Sequence, residues 1–172
     1  MQVPVERQLP RRRGGHATAV TIGGERLVVI TGQRADGTLG EVLLQWGKQG
    51  CALAGLADAY AMAISSGLQY DVPLADLLRP GLGLRFAPGG RTDDPEIPWT
   101  RSAADYLCRR LVIDWLPFAD RAELGVRTLT ERVKRAAVRI GADEPARAQP
   151  GRTGVSAEVR TVPGALGTIL SW

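Results

Sequence analysis

The segment CALAGLADAYAMAISSGL, Cys51 to Leu68, restricts the fold more than any other part of the chain. Leu53, Leu56, Ala57, Tyr60, Ala61, Ile64, Ser65 and Leu68 recur at helical spacing, which predicts a long helix after Gly50. Its other side carries Ala52, Gly55, Ala59, Ala63 and Ser66 in place of charged residues. A helix that is apolar on one face and small on the other is expected to be covered on both. One face should lie on a sheet. The small face, with Gly55, Ala59, Ala63 and Ser66, should admit a backbone closely, either from another helix of the chain or from a second subunit. At ~1.5 Å per residue the segment is about long enough to cross a bilayer. Its Ala, Gly and Ser content and Asp58 favour a buried soluble helix instead, with no membrane span.

The sheet is written immediately upstream. ATAVTI is rich in β-branched residues, Gly23-Gly24 turns the chain, and RLVVITG continues as a second strand. Gln33 to Thr38 form a connection in which Asp36-Gly37 is a turn pair that tolerates positive φ, and TLGEVLLQ is the third strand. Short connections suit antiparallel neighbours, so Val28–Ile30 should pair with Val42–Leu44 in a meander. Glu41 should point outward between inward Gly40 and Val42. The fold class is α+β: a small antiparallel β meander packed against a long buried helix and further helices.

Downstream, Pro73 disfavours helix at Val72 and ends the long helix near GLQYDVP. PLADLLRPG reads as a short second helix, and LGLRFAPGGRTDDPEIPW as an irregular loop. A third helix starts near Ser102, with Asp105 at capping-box spacing, and is closed by Pro117. A fourth starts at TLTE, where Thr128 and Glu131 repeat that spacing, and Gly141 offers its C-cap. Leu129, Val133, Ala136, Ala137 and Ile140 line one side of it, while Arg132, Arg135 and Arg139 form a basic stripe.

With 172 residues the chain is one domain with terminal extensions, large enough to bury about 70% of its unfolded surface without a disulfide or metal. Residues 1–16 read as a basic extended arm, with Pro4 and Pro10 opposing helix and Arg11, Arg12 and Arg13 in a row. Residues 17–140 form the α+β domain. Residues 141–172, rich in Pro, Gly and Arg, read as a flexible tail up to the apolar LGTILSW.

Little independent chemistry can be assembled. Two cysteines, Cys51 and Cys108, fall in apolar helical patterns and read as buried thiols; with a single histidine, His16, they cannot supply the about four ligands of a structural zinc. His16 lies in the arm, so a Ser-His-Asp or Cys-His arrangement has no fixed base. No phosphate loop occurs, and Asp93, Asp94 and Glu96 read as solvated charges of a proline-rich loop. No catalytic, cofactor-binding or metal-binding residue is assigned. The net charge of +4 permits contact with nucleic acid or an acidic protein, for which Arg11, Arg12, Arg13, Arg132, Arg135 and Arg139 are the candidate phosphate or partner contacts. The N-terminal MQVPVERQLPRRR has no apolar run and does not read as a secretory signal, so a cytoplasmic protein is expected.

In order, LPRRRGG, a hairpin, TGQRADGTLGEVLL, GKQGCALAGLADAYAMAISSGLQYDVPL, LRFAPGG and RSAADYLCRRLVIDWL resemble the C-terminal region of adenosylcobalamin-dependent (class II) ribonucleotide reductases, which contains a module named for a Thr-Ser-Cys-Pro-Asp motif. The resemblance covers residues 7–116, and its most specific pieces are DGTLGE at 36–41 and GLQY with VPL at 67–74. Asp71 stands where the reductases usually have glycine. The Thr-Ser-Cys-Pro-Asp string and the cysteine-rich tail are absent. The family's catalytic barrel, with its cobalamin site and radical cysteine, lies upstream of this region, and none of its cysteines maps onto Cys51 or Cys108.

The resemblance therefore implies a relative of the reductase C-terminal domain acting by protein contact, as a non-catalytic accessory or assembly module. Its partner would be a reductase or a second copy, and cobalamin would sit in the partner alone. Two alternatives stand beside it: a basic nucleic-acid-binding protein, and a separately encoded part of a ribonucleoside-diphosphate reductase active only alongside a catalytic chain.

Overall fold

Alternating burial along the β-branched runs shows how the sheet is built. In the computed structural model, which describes residues 7–142, β1 (Gly15–Ile22), β2 (Glu25–Gln33) and β3 (Leu39–Trp46) form one antiparallel sheet in the order β1-β2-β3. The meander is the one read from the turns, but its register is shifted by one residue: Val28–Ile30 pair with Leu43–Gln45 rather than with Val42–Leu44, so that Val29 faces Leu44 and Thr31 faces Val42. Val20, Ile22, Leu27, Val29, Val42 and Leu44 turn inward to the core. The arm is shorter than the sequence suggested. Gly15 and His16 already pair with Gly32 and Thr31, so His16 belongs to a strand and its ring sits 6.1 Å from that of Trp115. Residues 1–6 of the arm, and the tail from 143 with its LGTILSW end, lie outside the described residues.

α1 (Ala52–Gln69) lies along β3 and buries Ala54, Ala57, Ala61, Ile64, Ser65 and Leu68. Ser65 Oγ accepts from the Val42 N–H at 2.9 Å and lies 3.0 Å from the Val42 carbonyl, which satisfies the backbone of that residue on the outer edge of β3. The helix does not end only because a proline follows. Val72 N donates to Gly67 O and Asp71 N to Leu68 O, both at 3.0 Å, which is the double-bonded Schellman stop. Its left-handed position is Asp71, φ 58°, the one positive-φ non-glycine residue among those described.

α2 (Leu74–Leu78) and a 3-10 turn (Arg79–Gly81) lead into a loop that is more ordered than its prolines imply. Two short strands, β4 (Gly90–Arg91) and β5 (Trp99–Thr100), pair within it. α3 (Ala103–Trp115) is the second wall of the core, with Tyr106, Leu107, Cys108, Leu111 and Val112 fully buried. Ser102 caps it by accepting from Asp105 N, but the Asp105 carboxylate does not complete a capping box. It is fully buried and accepts from Arg101 N, Gly83 N, Thr100 Oγ1 and Arg109 Nε at 2.7–3.0 Å, so it ties three segments together.

α4 (Phe118–Glu123) is an element that the sequence reading did not assign; Pro117 at its start and Gly125 past its end were the available signals. α5 (Leu129–Ala142) begins with a complete capping box, in which Glu131 accepts from Thr128 N and Thr128 from Glu131 N.

Candidate interaction surface

The rotation of α1 is set by the small residues that fit against β3. With Ala54, Ala57 and Ala61 turned to the sheet, Leu56 falls on the far side and is 70% exposed, whereas its spacing had assigned it to the buried stripe. Gly55, Ala59, Ala63 and Ser66 are likewise exposed, together with Met62 at 59%. No described segment of this chain covers them, so α1 is buried on one face and open on the other. Asp58 is the one charged residue of the whole helix. The open face is therefore a surface of about three turns, residues 55–66, built of small and apolar side chains.

Beside its N-terminal half lies an apolar groove of about 310 Å³, lined by Leu44, Trp46, Leu53, Tyr60, Leu84 and Phe86 among others. Trp46 and Phe86 stack at 6.3 Å, while Trp46 Nε1 is held by Glu25 at 2.8 Å. Phe86 and Leu84 remain 39% and 47% exposed. Phe86 comes from the loop read as irregular, so no periodic signal could have placed it here. At the groove floor the Tyr60 hydroxyl lies 3.4 Å from Cys108 Sγ, and burial pushes the Cys108 thiol up to about 11. A thiol held protonated in this way is inert. Cys51 corrects the other half of that expectation: it precedes the first turn of α1 and is exposed.

The corner between β2, β3 and the end of α1 forms a second cleft of about 620 Å³ with a mixed lining, in which Arg7, Arg34, Asp36 and Asp71 stand beside Leu74 and Trp115. Asp36 accepts from Thr38 N at 2.9 Å and from its hydroxyl at 2.6 Å, and these bonds hold its carboxyl below the usual range. Gly37 beside it takes φ 83°. Asp71 pairs with Arg7 at 2.9 Å and Arg34 at 3.4 Å, and Arg34 also donates to Leu68 O. DGTLGE and GLQYDVPL thus meet here as one corner, whose charges answer each other.

The six arginines named as contacts separate. Arg13 pairs with Glu41, which is turned outward as expected, and Arg132 donates to Glu96 O at 2.7 Å. Arg11, Arg12, Arg135 and Arg139 are exposed. The acidic loop is not a solvated run of charges. Asp93 accepts from Thr21 N at 2.8 Å, Asp94 from the Tyr106 hydroxyl at 2.7 Å, and Glu96 from Leu129 N at 2.8 Å. Each carboxylate staples the loop to a different element. Among the described residues no three His, Cys, Asp or Glu side chains gather as metal ligands would, and no helix is long and apolar enough to cross a membrane.

The sequence profile of the TSCPD domain matches residues 3–114, which is more than half of the chain and includes the sheet, α1 and nearly all of α3. The chain belongs to the TSCPD domain family. This TSCPD chain is 42% identical over 143 residues to the vitamin B12-dependent ribonucleotide reductase of Streptantibioticus cattleyicolor, covering 83% of the chain and 24% of the relative. With the enzyme of that name from Streptomyces coelicolor it shares 42% over 142 residues, 83% of the chain and 14% of the relative. The enzyme of that name from Agrobacterium fabrum matches at 34% over 118 residues, 68% and 9% respectively. The chain thus spans less than a quarter of the length of these relatives, in their C-terminal parts. No solved structure matches the TSCPD chain.

Proposed function

We propose that this TSCPD chain is a non-catalytic contact domain that serves a vitamin B12-dependent ribonucleotide reductase, and that the open face of α1 with its groove is the surface it uses. The observation that carries the reading is Leu56. A leucine 70% exposed near the N-terminal end of an almost uncharged face of about three turns, on the wall of the apolar groove, gives this chain little of its own burial. Burying such a side chain against a partner is worth about 1.5–3 kcal/mol. In the reductases named above, the matching region is one part of a much longer chain, so the remainder of such an enzyme is the natural counterpart. The buried, protonated Cys108 and the neutralised corner cleft suit a domain that binds rather than reacts.

The test uses the Streptomyces coelicolor reductase truncated before its own TSCPD region, with binding of this chain followed by interferometry and nucleotide reduction by turnover. The reading expects micromolar binding that Leu56→Asp weakens at least about tenfold, or ~1.4 kcal/mol. It also expects no reduction by the chain alone with adenosylcobalamin. Binding untouched by Leu56→Asp, or none at about 100 µM, refutes the surface. Turnover by the chain alone refutes the non-catalytic role.

A further inference from the structure

We propose that the β4–β5 ladder carries a separate binding surface, a stacking and phosphate-binding platform for single-stranded nucleic acid centred on Trp99. It shares no residue with the groove beside α1 and does not rest on the reductase reading.

Trp46 is buried and Trp115 half-buried, but Trp99 is 55% exposed. Strand pairing displays its ring. Trp99 stands opposite Arg91 across β4 and β5, and side chains so paired project from one face of a ladder. Arg101 follows two residues on, and with Arg85, Gly89, Gly90 and Trp99 it lines an open depression of about 330 Å³. The two glycines contribute bare backbone to it, and a Cβ at Gly90 would meet nothing within 4 Å. Nothing from this chain fills the space beside the ring.

The charge there is of one sign. Arg85, Arg91 and Arg101 are exposed, and among the described residues none of the three enters an ion pair. No carboxylate lines the depression. The acidic residues of the same loop are engaged elsewhere, Asp93 with Thr21 N, Asp94 with Tyr106 and Arg110, and Glu96 with Leu129 N. The backbone beneath the arginines is fixed. Asp105 accepts from Arg101 N and from Thr100 Oγ1, both at 3.0 Å, and Ser102 Oγ donates to Leu84 O at 2.7 Å.

An open indole offers a π-face on which any base can stack, and the planar guanidinium fork matches phosphate oxygens. A duplex keeps its base faces inside the stack, whereas a single strand presents them. Arg91 lies across the ladder from Trp99 and Arg101 along it, so cations flank the ring on different sides. A strand carries phosphates on both sides of a stacked base; the phosphates of a free nucleotide all trail from one.

The test titrates the full chain with a fluorescein-labelled oligothymidylate of about twelve nucleotides at about 50 mM salt, read by anisotropy and by tryptophan emission, with thermal melts to confirm that each variant folds. Binding at about 1–100 µM is expected. Trp99→Leu should weaken it at least about fivefold, the loss of one stacked base, while Trp99→Phe keeps most of the affinity. Stacking should quench tryptophan emission in the wild type, and that quench should vanish in both variants. Arg91→Gln and Arg101→Gln should each flatten the log–log salt slope by about 0.7. No binding at about 100 µM overturns the platform. Affinity and slope unmoved by all four variants would assign the binding to arginines elsewhere and overturn it too. Oligoglutamate bound as tightly as the strand would show that charge alone is read, and a duplex or thymidine triphosphate bound as tightly would refute single-strand recognition.

Discussion

Replacing Asp71 by glycine removes a charge that bridges two arginines and, at the same stroke, removes a side chain from a backbone position that disfavours one. Asp71 has φ 58° and supplies the left-handed residue of the α1 stop. The same two bonds recur after α4, where Val126 N donates to Arg121 O and Gly125 N to Ala122 O, with Gly125 at φ 71°. There glycine does what Asp71 does here. A left-handed conformation costs an L-residue about 1–2 kcal/mol, less for aspartate, so glycine should recover about 1 kcal/mol at most. Against this stand the ion pairs to Arg7 and Arg34. The carboxylate is 49% exposed and Arg7 is 56% exposed, so that pair contributes only ~0.2–1 kcal/mol. Arg34 keeps its bond to Leu68 O whatever stands at 71. The two effects nearly cancel, and Asp71→Gly should melt within about 0.5 kcal/mol of wild type. Asp71→Asn keeps a residue tolerant of positive φ but loses the charge, and should fall by about 0.5–1 kcal/mol, with the loss shrinking in 1 M salt. Asp71→Val loses both and should cost about 2–3 kcal/mol. Urea denaturation of the four proteins decides it. If Asp71→Gly loses more than about 1.5 kcal/mol while Asp71→Asn is silent, neither the weak ion pairs nor the backbone cost explains this corner.

Asp105→Ala should cost about 2–4 kcal/mol, because it strands four donors, of which Thr100 is buried and Gly83 N, Arg101 N and Arg109 are part-buried. Desolvation alone would raise the Asp105 carboxyl, but the Arg101 and Gly83 N–H groups, with Arg109 and Thr100, outweigh it and hold it low. The folded pKa lies below the unfolded one, so the stabilisation is complete above the ordinary carboxylate range and is lost as pH falls through the folded value. Wild type should therefore lose stability below about pH 4, and Asp105→Ala should show a flatter acid limb. Gly37→Val should cost about 1–2 kcal/mol through backbone strain alone, since open space surrounds that position, whereas Asp36→Asn should leave the melt unchanged; loss of partner binding by Asp36→Asn with an unchanged melt would make the corner the functional site instead. A thiol reagent at neutral pH should modify Cys51 alone, and Cys108 only in denaturant; two fast thiols in the native state would show that the α3 core opens.

What the amino-acid order fixes unaided is whatever depends on neighbours along the chain. Gly23-Gly24 and Asp36-Gly37 define two reversals, and alternation between them defines which strand faces are inward, so the meander is readable before any contact is known, while its register lies one residue away from the pairing the turns suggest. Thr128 and Glu131 satisfy each other across three residues, and α5 starts where they say. Family membership is legible for the same reason, since DGTLGE and GLQY are local strings. What tertiary packing decides is rotation and partnership. The angle of α1 on β3 follows from which small side chains fit the sheet, and it turns Leu56 outward although its spacing matches the buried stripe. Asp105 has capping-box spacing but is drawn instead to donors at 83 and 101, which the loop fold carries to it. Asp93, Asp94 and Glu96 look like solvent-facing charges until three distant elements supply their partners. In each case the deciding energy is a contact between residues far apart in sequence, which no local pattern encodes.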